Sequence, residues 1–527
     1  MPPETADTRL RRFTEALGPG LVRTDEDVLR TYSTDASPCV VRPRAVAFPR
    51  DEADVVRVLR AAREVSLPTT PRAAGTSLSG AAIGPGVVLD TTGLGGIDID
   101  ATRGVARVGP GALLRELNEA LASKGFRFPL EPGSLEWCRI GGMVGHNASG
   151  YRSVKYGQMG DFVLGLRVVL VDGTVVEASD VRVDGDGWRD LTARVPAMET
   201  IRRVVSDRRD AILGSRRPVR KHSAGYNVWS VAEGLALGVL PLAALFVGSE
   251  GTLGVVTEVT LRVLPIPRRS VTLLVLLDRF EDLGRLVADL LALGPSALEA
   301  VDGTSLDLLG RESFDVPPSA QAMLLIEFDE DADRKAAVVE GDVVPRYALS
   351  RPLEIAFESG RQAALWAARR SLFPALLKRP GRRRPWGFVE DAIVPVRHVP
   401  EFVAFLADLA RRHDTVAGIY GHIGDGNTHY RPLFDPTDRA DFERMRALRD
   451  EFHAALLERF EGVPSAEHGI GRLRGDVLDR TWGPSVVEAM RAIKSALDPD
   501  GLLNPGVLFP EAPWWETWAG LDTRTPM

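Results

Sequence analysis

Cysteine is nearly absent from this chain: Cys39 and Cys138 are the only two in 527 residues. Two thiols exclude a four-cysteine iron–sulfur cluster held by this chain alone. They also exclude a disulfide framework and suggest a reducing compartment. Long apolar runs are missing as well. The most apolar stretch, residues 234–247, carries Pro241 and falls below the roughly 20 residues that a membrane-crossing helix needs. The N-terminal MPPETADTRLRRF has no apolar signal core. A cytoplasmic protein is therefore expected, one that could dock at the inner face of a membrane through a partner. Positive charge is not in excess. The net charge is −7, which argues against nucleic acid as a partner. The one basic run, KRPGRRR at 378–384, is short, lacks interleaved aromatics and reads as a solvated loop. No tandem repeat and no low-complexity tail is present.

A chain of 527 residues is too long for one ordinary core, so two or more domains are expected. Residues 1–40 read as an N-terminal helical segment. From 41 to 265 helical and strand patterns alternate. Val55, Val58, Leu59 and Ala62 have helical spacing after the acidic start Asp51-Glu52. Residues 112–121 read as an amphipathic helix, and residues 166–176 as a hairpin around Asp172-Gly173. Residues 178–220, rich in arginine and aspartate, read as a helical insertion or a long excursion. A strand opening at Gly254 is stopped by Pro265 and Pro267, which sets a boundary there. Beyond it, apolar strands at 271–277 and 323–328 flank a helical pattern at 283–291. They predict a second, α+β domain over 266–510, a sheet with helices on one face, followed by a tail at 511–527.

Histidine is scarce too, eight in all, yet two of them bracket one turn in HIGDGNTH at 422–429. Asp425-Gly426 is a favoured two-residue hairpin turn. That register would set His422 opposite His429, with Cβ atoms about 4.5–5.5 Å apart on one face. Such a pair suits one metal ion or one substrate; it also suits a plain hairpin with surface or satisfied histidines. A second polar group, Glu467-His468, sits in SAEHGIGRLR at 465–474. Neighbouring side chains there point in different directions, so one could ligate while the other faces a substrate.

Three glycine-rich clusters occupy the first half: PRAAGTSLSG at 71–80, EPGS at 131–134 with IGGMVGHNASG at 140–150, and GSEGTLG at 248–254. Glycine permits close backbone approach, and successive N–H groups form nests for anions. None is a P-loop or a strand–GxGxxG–helix fingerprint. Together they predict an extended cofactor cradle.

The runs PRAAGTSLSG, IGGMVGHNASGYRSVKYGQMGDFVLGLRVVLVDGTV and GSEGTLGVVTEVTLRVLP resemble the FAD-binding domain of the vanillyl-alcohol oxidase / p-cresol methylhydroxylase flavoproteins. The second half resembles the FAD-linked oxidase C-terminal domain. Within that superfamily the chain is most similar to the FAD-dependent D-2-hydroxyacid dehydrogenases: D-lactate dehydrogenase, the glycolate oxidase FAD subunit and D-2-hydroxyglutarate dehydrogenase. The likeness spans about residues 40–510 and implies an α+β protein, a two-part FAD-binding domain followed by a substrate domain. It implies that Arg72, Ala74, Gly75, Thr76, Ser77 and Gly80 surround the FAD pyrophosphate. Pro132, Gly133, Gly141, Gly142, Asn147, Ser149 and Gly150 would line the rest, with Glu250, Gly254, Val256 and Asn504. Thr76 stands where some relatives attach flavin through histidine, so non-covalent FAD is expected.

The resemblance further implies that His422, His429 and Glu467 ligate a divalent metal and that His468 is the base. The metal could be zinc, manganese or iron. Arg369, in the Leu-Trp-x-x-Arg pattern at 365–369, would bind the substrate carboxylate, with Arg370 its solvated neighbour. The implied reaction is oxidation of a small D-2-hydroxy acid to the 2-oxo acid. Val389 and Arg431 depart from residues of some 2-hydroxyglutarate enzymes, and the role of Arg431 stays open. GRRRPWGFVEDAIVPV at 381–396 resembles larger dehydrogenases fused to an iron–sulfur half. Electrons are therefore expected to leave to a separate acceptor: an iron–sulfur subunit, an electron-transfer flavoprotein or a quinone-linked carrier. A homodimer is compatible with the sequence. The alternatives are an alkylglycerone-phosphate synthase-like enzyme, which shares the fold but prefers a run of histidines at 466–468, and a non-catalytic FAD subunit of a larger oxidase complex.

Overall fold

A computed structural model describes residues 5–378 and 381–518. Arg379 and Pro380 of the basic run, the first four residues and residues 519–527 of the tail lie outside the described residues.

Among the described residues the first half carries two main sheets and two small two-stranded ones, Asp180–Arg182 with Val239–Pro241 and Phe126–Arg127 with Leu264–Pro265. Strands Ala45–Ala47, Val87–Asp90 and Thr69–Arg72 run parallel, and Val22–Arg23 adds an antiparallel edge. Helix Glu52–Glu64 makes the crossover. Asp51 caps it by accepting from the Asp54 N–H, and Val55, Val58, Leu59 and Ala62 are buried at the spacing read from sequence. This βαβ unit ends at Arg72 and so delivers the first glycine cluster at a strand terminus. The second sheet is antiparallel, in the order Ile97–Asp100, Val105–Val108, Val255–Arg262, Val163–Val169, Val175–Ala178. Its central strand Val255–Arg262 is preceded directly by the third cluster. Residues 178–220 open with a short strand, Asp180–Arg182, and continue as helices Asp186–Arg194, Ala197–Asp207 and Arg209–Gly214. Their Met198, Ile201 and Val205 share a core with Val486, Met490 and Ile493 of helix Pro484–Leu497.

The second half is built on eight strands. The order is Glu354–Ala356, Val271–Leu277, Ala322–Phe328, Ala297–Asp302, Ala417–Gly421, Asn427–Phe434 and Arg384–Pro385, with Ala392–Ile393 pairing Asn427–Phe434. All pairs are antiparallel. Along Val271–Leu277 every residue is buried, and alternate side chains enter different cores. Val271, Leu273, Val275 and Leu277 pack with Leu286 and Phe402 on one face. Leu274 and Leu276 pack with Leu365, Trp366 and Leu376 on the other. The sheet is therefore covered on both faces, not on one as its sequence pattern suggested. The covering helix Ser359–Leu377 escaped the apolar periodicity because its buried set includes Arg369.

The register around HIGDGNTH also differs from expectation. Tyr420, not His422, pairs with His429, and Gly418 pairs with Arg431. Ile423–Asp425 form a 3₁₀ turn in place of a two-residue loop. Gly426 closes it at φ 82°, where a Cβ would lie 2.0 Å from the Val394 carbonyl oxygen. His422 thus sits beyond the end of its strand. Its ring still lies 5.3 Å from that of His429, at 86°.

Candidate active site

The three glycine clusters and the histidine turn open onto one continuous cavity of about 390 Å³. The first cluster contributes Arg72, Ala74, Gly75, Thr76 and Ser77 to its wall. Pro132, Gly133, Gly141, Gly142 and Ser149 come from the second cluster, and Glu250 and Gly254, followed by Val256, from the third. Gly75 has φ 70°, and a Cβ there would meet the Arg72 guanidinium at 2.3 Å. A Cβ on Gly145, also in the wall, would meet nothing within 4 Å and would intrude on the cavity itself. Bare backbone facing an open slot is what a flat, phosphate-bearing cofactor needs.

Four residues expected to line the cofactor stand behind that wall. Gly80 lies against the Cys39 side chain, and Gly150 packs on the Glu131 backbone. Asn147, left-handed at φ 49°, ends helix Ile140–His146 and accepts from the Gly160 N–H at 2.8 Å. Asn504 donates to the carbonyls of Ala81 (2.8 Å) and Glu250 (2.7 Å), tying two clusters together. Glu250 is in the wall, but its carboxylate accepts the N–H groups of Ile470 and Gly471 at 2.8 and 2.9 Å. Burial pushes its carboxyl up to about 8 against those bonds.

At the far end of the cavity the Glu467 Oε1 atom is a point of convergence. His422 Nε2 is 3.0 Å from it, and His429 Nε2 and His468 Nε2 are each 3.5 Å away. The other Glu467 oxygen accepts from Ser149 Oγ (2.6 Å) and faces Lys221 Nζ (3.4 Å). His422 Nδ1 is 2.5 Å from Glu299 Oε1. Burial works against the His422 cation, but the Glu299 and Glu467 carboxylates push it up to about 9. His429 is held well below the usual range by burial and by the neighbouring His468. Its Nδ1 is buried without a hydrogen-bond partner. His468 is opposed by burial and raised by Asp391 and Glu390.

Arg369 is 3% exposed. It pairs with Glu299 at 2.7 Å and lies over the rings of Tyr151 and Tyr420. Arg370, expected in solvent, is partly buried and lines the cavity with Phe373 and Pro374. Arg369, Arg370, Phe373 and Pro374 share one face of helix Ser359–Leu377, and that face lines the cavity.

Sequence reasoning missed several groups here. Glu299, Glu390, Asp391, Lys221 and Arg474 are all buried and all reach the histidine cluster directly or through one partner. His146 lines the cavity with Nε2 3.3 Å from Ser77 Oγ, and burial pushes it down to about 4. Glu299 lies in a strand that reads as plain apolar sheet. Lys221 lies at the end of the helical excursion, where no motif marks it.

Charge states what this arrangement lacks. The buried carboxylates of Glu299, Glu390, Asp391, Asp425 and Glu467 face the permanent cations Lys221, Arg369, Arg431 and Arg474. With neutral imidazoles one negative charge is left over, which the proton on His422 balances while no ion is bound. A divalent cation among them would leave one positive charge, which a monocarboxylate substrate neutralises. Among the described residues, Asp391, His429, Glu467 and His468 also place ligand atoms within 4.8 Å of one another. Asp391 is the poorest donor of these. Its carboxylate already accepts from Ser465 Oγ, from the N–H groups of Glu467 and His468, and from Asn427. His422, His429 and Glu467 fit a metal best, with Glu299 orienting His422 from behind.

A glycine-walled slot ending in imidazoles and carboxylates defines the chain as a flavoprotein oxidoreductase in layout, and comparison with known proteins agrees. Residues 43–179 match the family model described as FAD binding domain, and residues 266–508 match that of FAD linked oxidases, C-terminal domain. Glycolate oxidase subunit GlcD of Bacillus subtilis is 31% identical, with 91% of this chain and 92% of that protein covered. D-lactate dehydrogenase of Archaeoglobus fulgidus is 29% identical over 90% of this chain and 94% of its own length. A 4-ethylphenol oxidase from Gulosibacter chungangensis shares the fold at a TM-score of 0.69 and 18% identity, covering 96% of this chain and 98% of its own. The chain belongs to the FAD-linked oxidases, and FAD is its cofactor. No helix among the described residues is long and apolar enough to cross a membrane.

Proposed function

We propose that the protein oxidises a small D-2-hydroxy acid to the 2-oxo acid and passes the electrons to a separate acceptor. One observation carries this reading. Three imidazole nitrogens meet one buried carboxylate oxygen at the end of the FAD cavity. When bound, FAD would supply the hydride acceptor and a divalent ion would supply positive charge to polarise the substrate hydroxyl.

The chain's own residues do the rest. His422, His429 and Glu467 would hold the ion. His468 faces the cavity with Nε2 and takes the hydroxyl proton as the C–H bond breaks. Arg369 and Arg370 offer guanidinium donors to the carboxylate. Tyr151, Phe373 and Tyr420 wall the substrate end with apolar surface and keep water from the reacting atoms. The relatives named for glycolate and D-lactate oxidation support the substrate class, and a protein named as a subunit supports a separate acceptor.

Anaerobic mixing of the yellow protein with a panel of D- and L-2-hydroxy acids tests the proposal. At least one D-acid should bleach the flavin. No bleaching by any acid, with FAD and metal bound, contradicts it.

A further inference from the structure

Glu390 has no place in the reaction as described, yet it is fully buried and makes direct contact with His468. Both of its carboxylate oxygens lie 2.9 Å from His468 Nδ1. Two guanidiniums hold those oxygens from other directions: Arg474 Nη2 at 2.7 Å on Oε1 and Arg431 Nη2 at 2.9 Å on Oε2. Arg431 is itself braced over the Phe373 ring, and Arg474 by the Gly469 carbonyl. The carboxylate therefore has neither room to rotate nor water to exchange with.

The next residue completes the arrangement. Asp391 accepts the backbone N–H groups of Glu467 and His468 at 2.9 and 2.7 Å. One residue of the Glu390-Asp391 pair thus fixes the backbone of the Glu467-His468 segment, and the other fixes the imidazole. The His429 ring stacks on that imidazole at 5.1 Å and 19°, so its plane is set as well.

We propose that Glu390 is the positioning residue for His468, holding the imidazole by Nδ1–H so that the Nε2 lone pair is turned to the cavity. Resting on the base role given above to His468, this explains which ring nitrogen does the work. A carboxylate facing Nδ1 accepts a hydrogen bond only from the tautomer protonated there. The other tautomer would set a lone pair against the carboxylate and place its proton where a base must be empty. Arg431 then has a role: with Arg474 it keeps Glu390 aimed at the ring.

Two measurements decide it. The first needs no substrate. In ¹⁵N-histidine-labelled holoprotein, a far-downfield Nδ1–H proton should appear, should be absent from His468→Gln and should be lost in Glu390→Gln. Absence of this signal from the unmodified protein, or its survival in Glu390→Gln, overturns the proposal. The second follows flavin reduction by the best acid in water and in D₂O. In Glu390→Gln the rate should fall about 10²-fold, with the half-saturating acid concentration moving by less than about threefold. The solvent isotope effect should rise, because proton removal becomes limiting. A wild-type rate, or a slower rate with an unchanged isotope effect, reduces Glu390 to a structural residue and refutes the proposal. Should Glu390→Gln fail to fold, the double variant Glu390→Gln/Arg431→Gln removes one cation with the carboxylate and is measured in its place. A flavin that no acid bleaches would sink the D-2-hydroxy acid reading alone, since the proton signal still answers for the clamp.

Discussion

Replacing Glu299 by Gln tests whether His422, His429 and Glu467 form the proposed metal site. Glu299 is 1% exposed and touches both His422 Nδ1, at 2.5 Å, and Arg369 Nη2, at 2.7 Å. Two opposed effects on metal affinity follow. Losing the carboxylate behind a ligating histidine weakens binding by about 10–100-fold, or about 1.4–2.7 kcal/mol. Against this, Glu299 helps raise His422 to about 9, so at pH 7 an ion must displace a proton from it. The sign follows from the raised value: the proton competes below pH 9 and ceases to compete above it. Wild-type affinity should therefore climb about 100-fold between pH 7 and 9, roughly tenfold per unit for one displaced proton. In Glu299→Gln the climb should be shallower, so the variant should bind about 10–100-fold more weakly at pH 9 and closer to wild type at pH 7. Metal-depleted protein titrated with zinc or manganese against a chromophoric chelator reads both numbers. Flavin absorbance serves as the control, since Glu299 is outside the cofactor wall. The loss of a full charge beside buried Arg369 should also lower stability by about 3 kcal/mol. Equal affinities and equal pH slopes in the two proteins would refute the reasoning.

Other outcomes follow from single contacts. His468→Gln should slow flavin reduction by about 10²–10⁴-fold while FAD and metal stay bound, as stopped-flow absorbance and metal analysis will read. Gly426→Ala should cost at least about 2 kcal/mol in denaturant unfolding, because φ is 82° and the Cβ would strike the Val394 carbonyl. For Glu250 the carboxyl rises to about 8 on folding, so the folded state holds a proton that the unfolded state has lost above about pH 4.5. FAD-free protein should therefore lose stability as pH rises from about 5 to 8, by up to about 4 kcal/mol, and Glu250→Gln should flatten that slope in thermal unfolding.

Much of this molecule is legible in its sequence, where local rules act. The helix Glu52–Glu64 announces itself by an aspartate cap and apolar spacing, and the strand Val271–Leu277 by an apolar run interrupted only by Thr272. The glycine clusters are legible because bare backbone is itself the wall of the cavity. What stayed hidden depends on partners distant in sequence. Helix Ser359–Leu377 buries Arg369 against Glu299, 70 residues away, so its apolar periodicity is broken by a charge that only the fold can satisfy. The register of the histidine turn was misread by two residues because Asp425-Gly426 is a strong hairpin signal. The structure needs Gly426 for its close approach to Val394 and makes a 3₁₀ turn before it. The histidine-supporting carboxylates Glu299 and Glu390 stayed hidden because nothing beside them in sequence indicates that an imidazole will face them.

On the function proposed above, the histidine–carboxylate cluster at the end of the FAD cavity holds a metal that serves C–H oxidation of a 2-hydroxy acid. Anaerobic flavin bleaching by the best D-acid, protonated and deuterated at C2, in metal-loaded and chelator-treated protein, tests it most directly. Bleaching should be several-fold slower with deuterium, be lost on chelation and return when the ion is restored. Bleaching at an unchanged rate after the metal is removed, with FAD still bound, would contradict it.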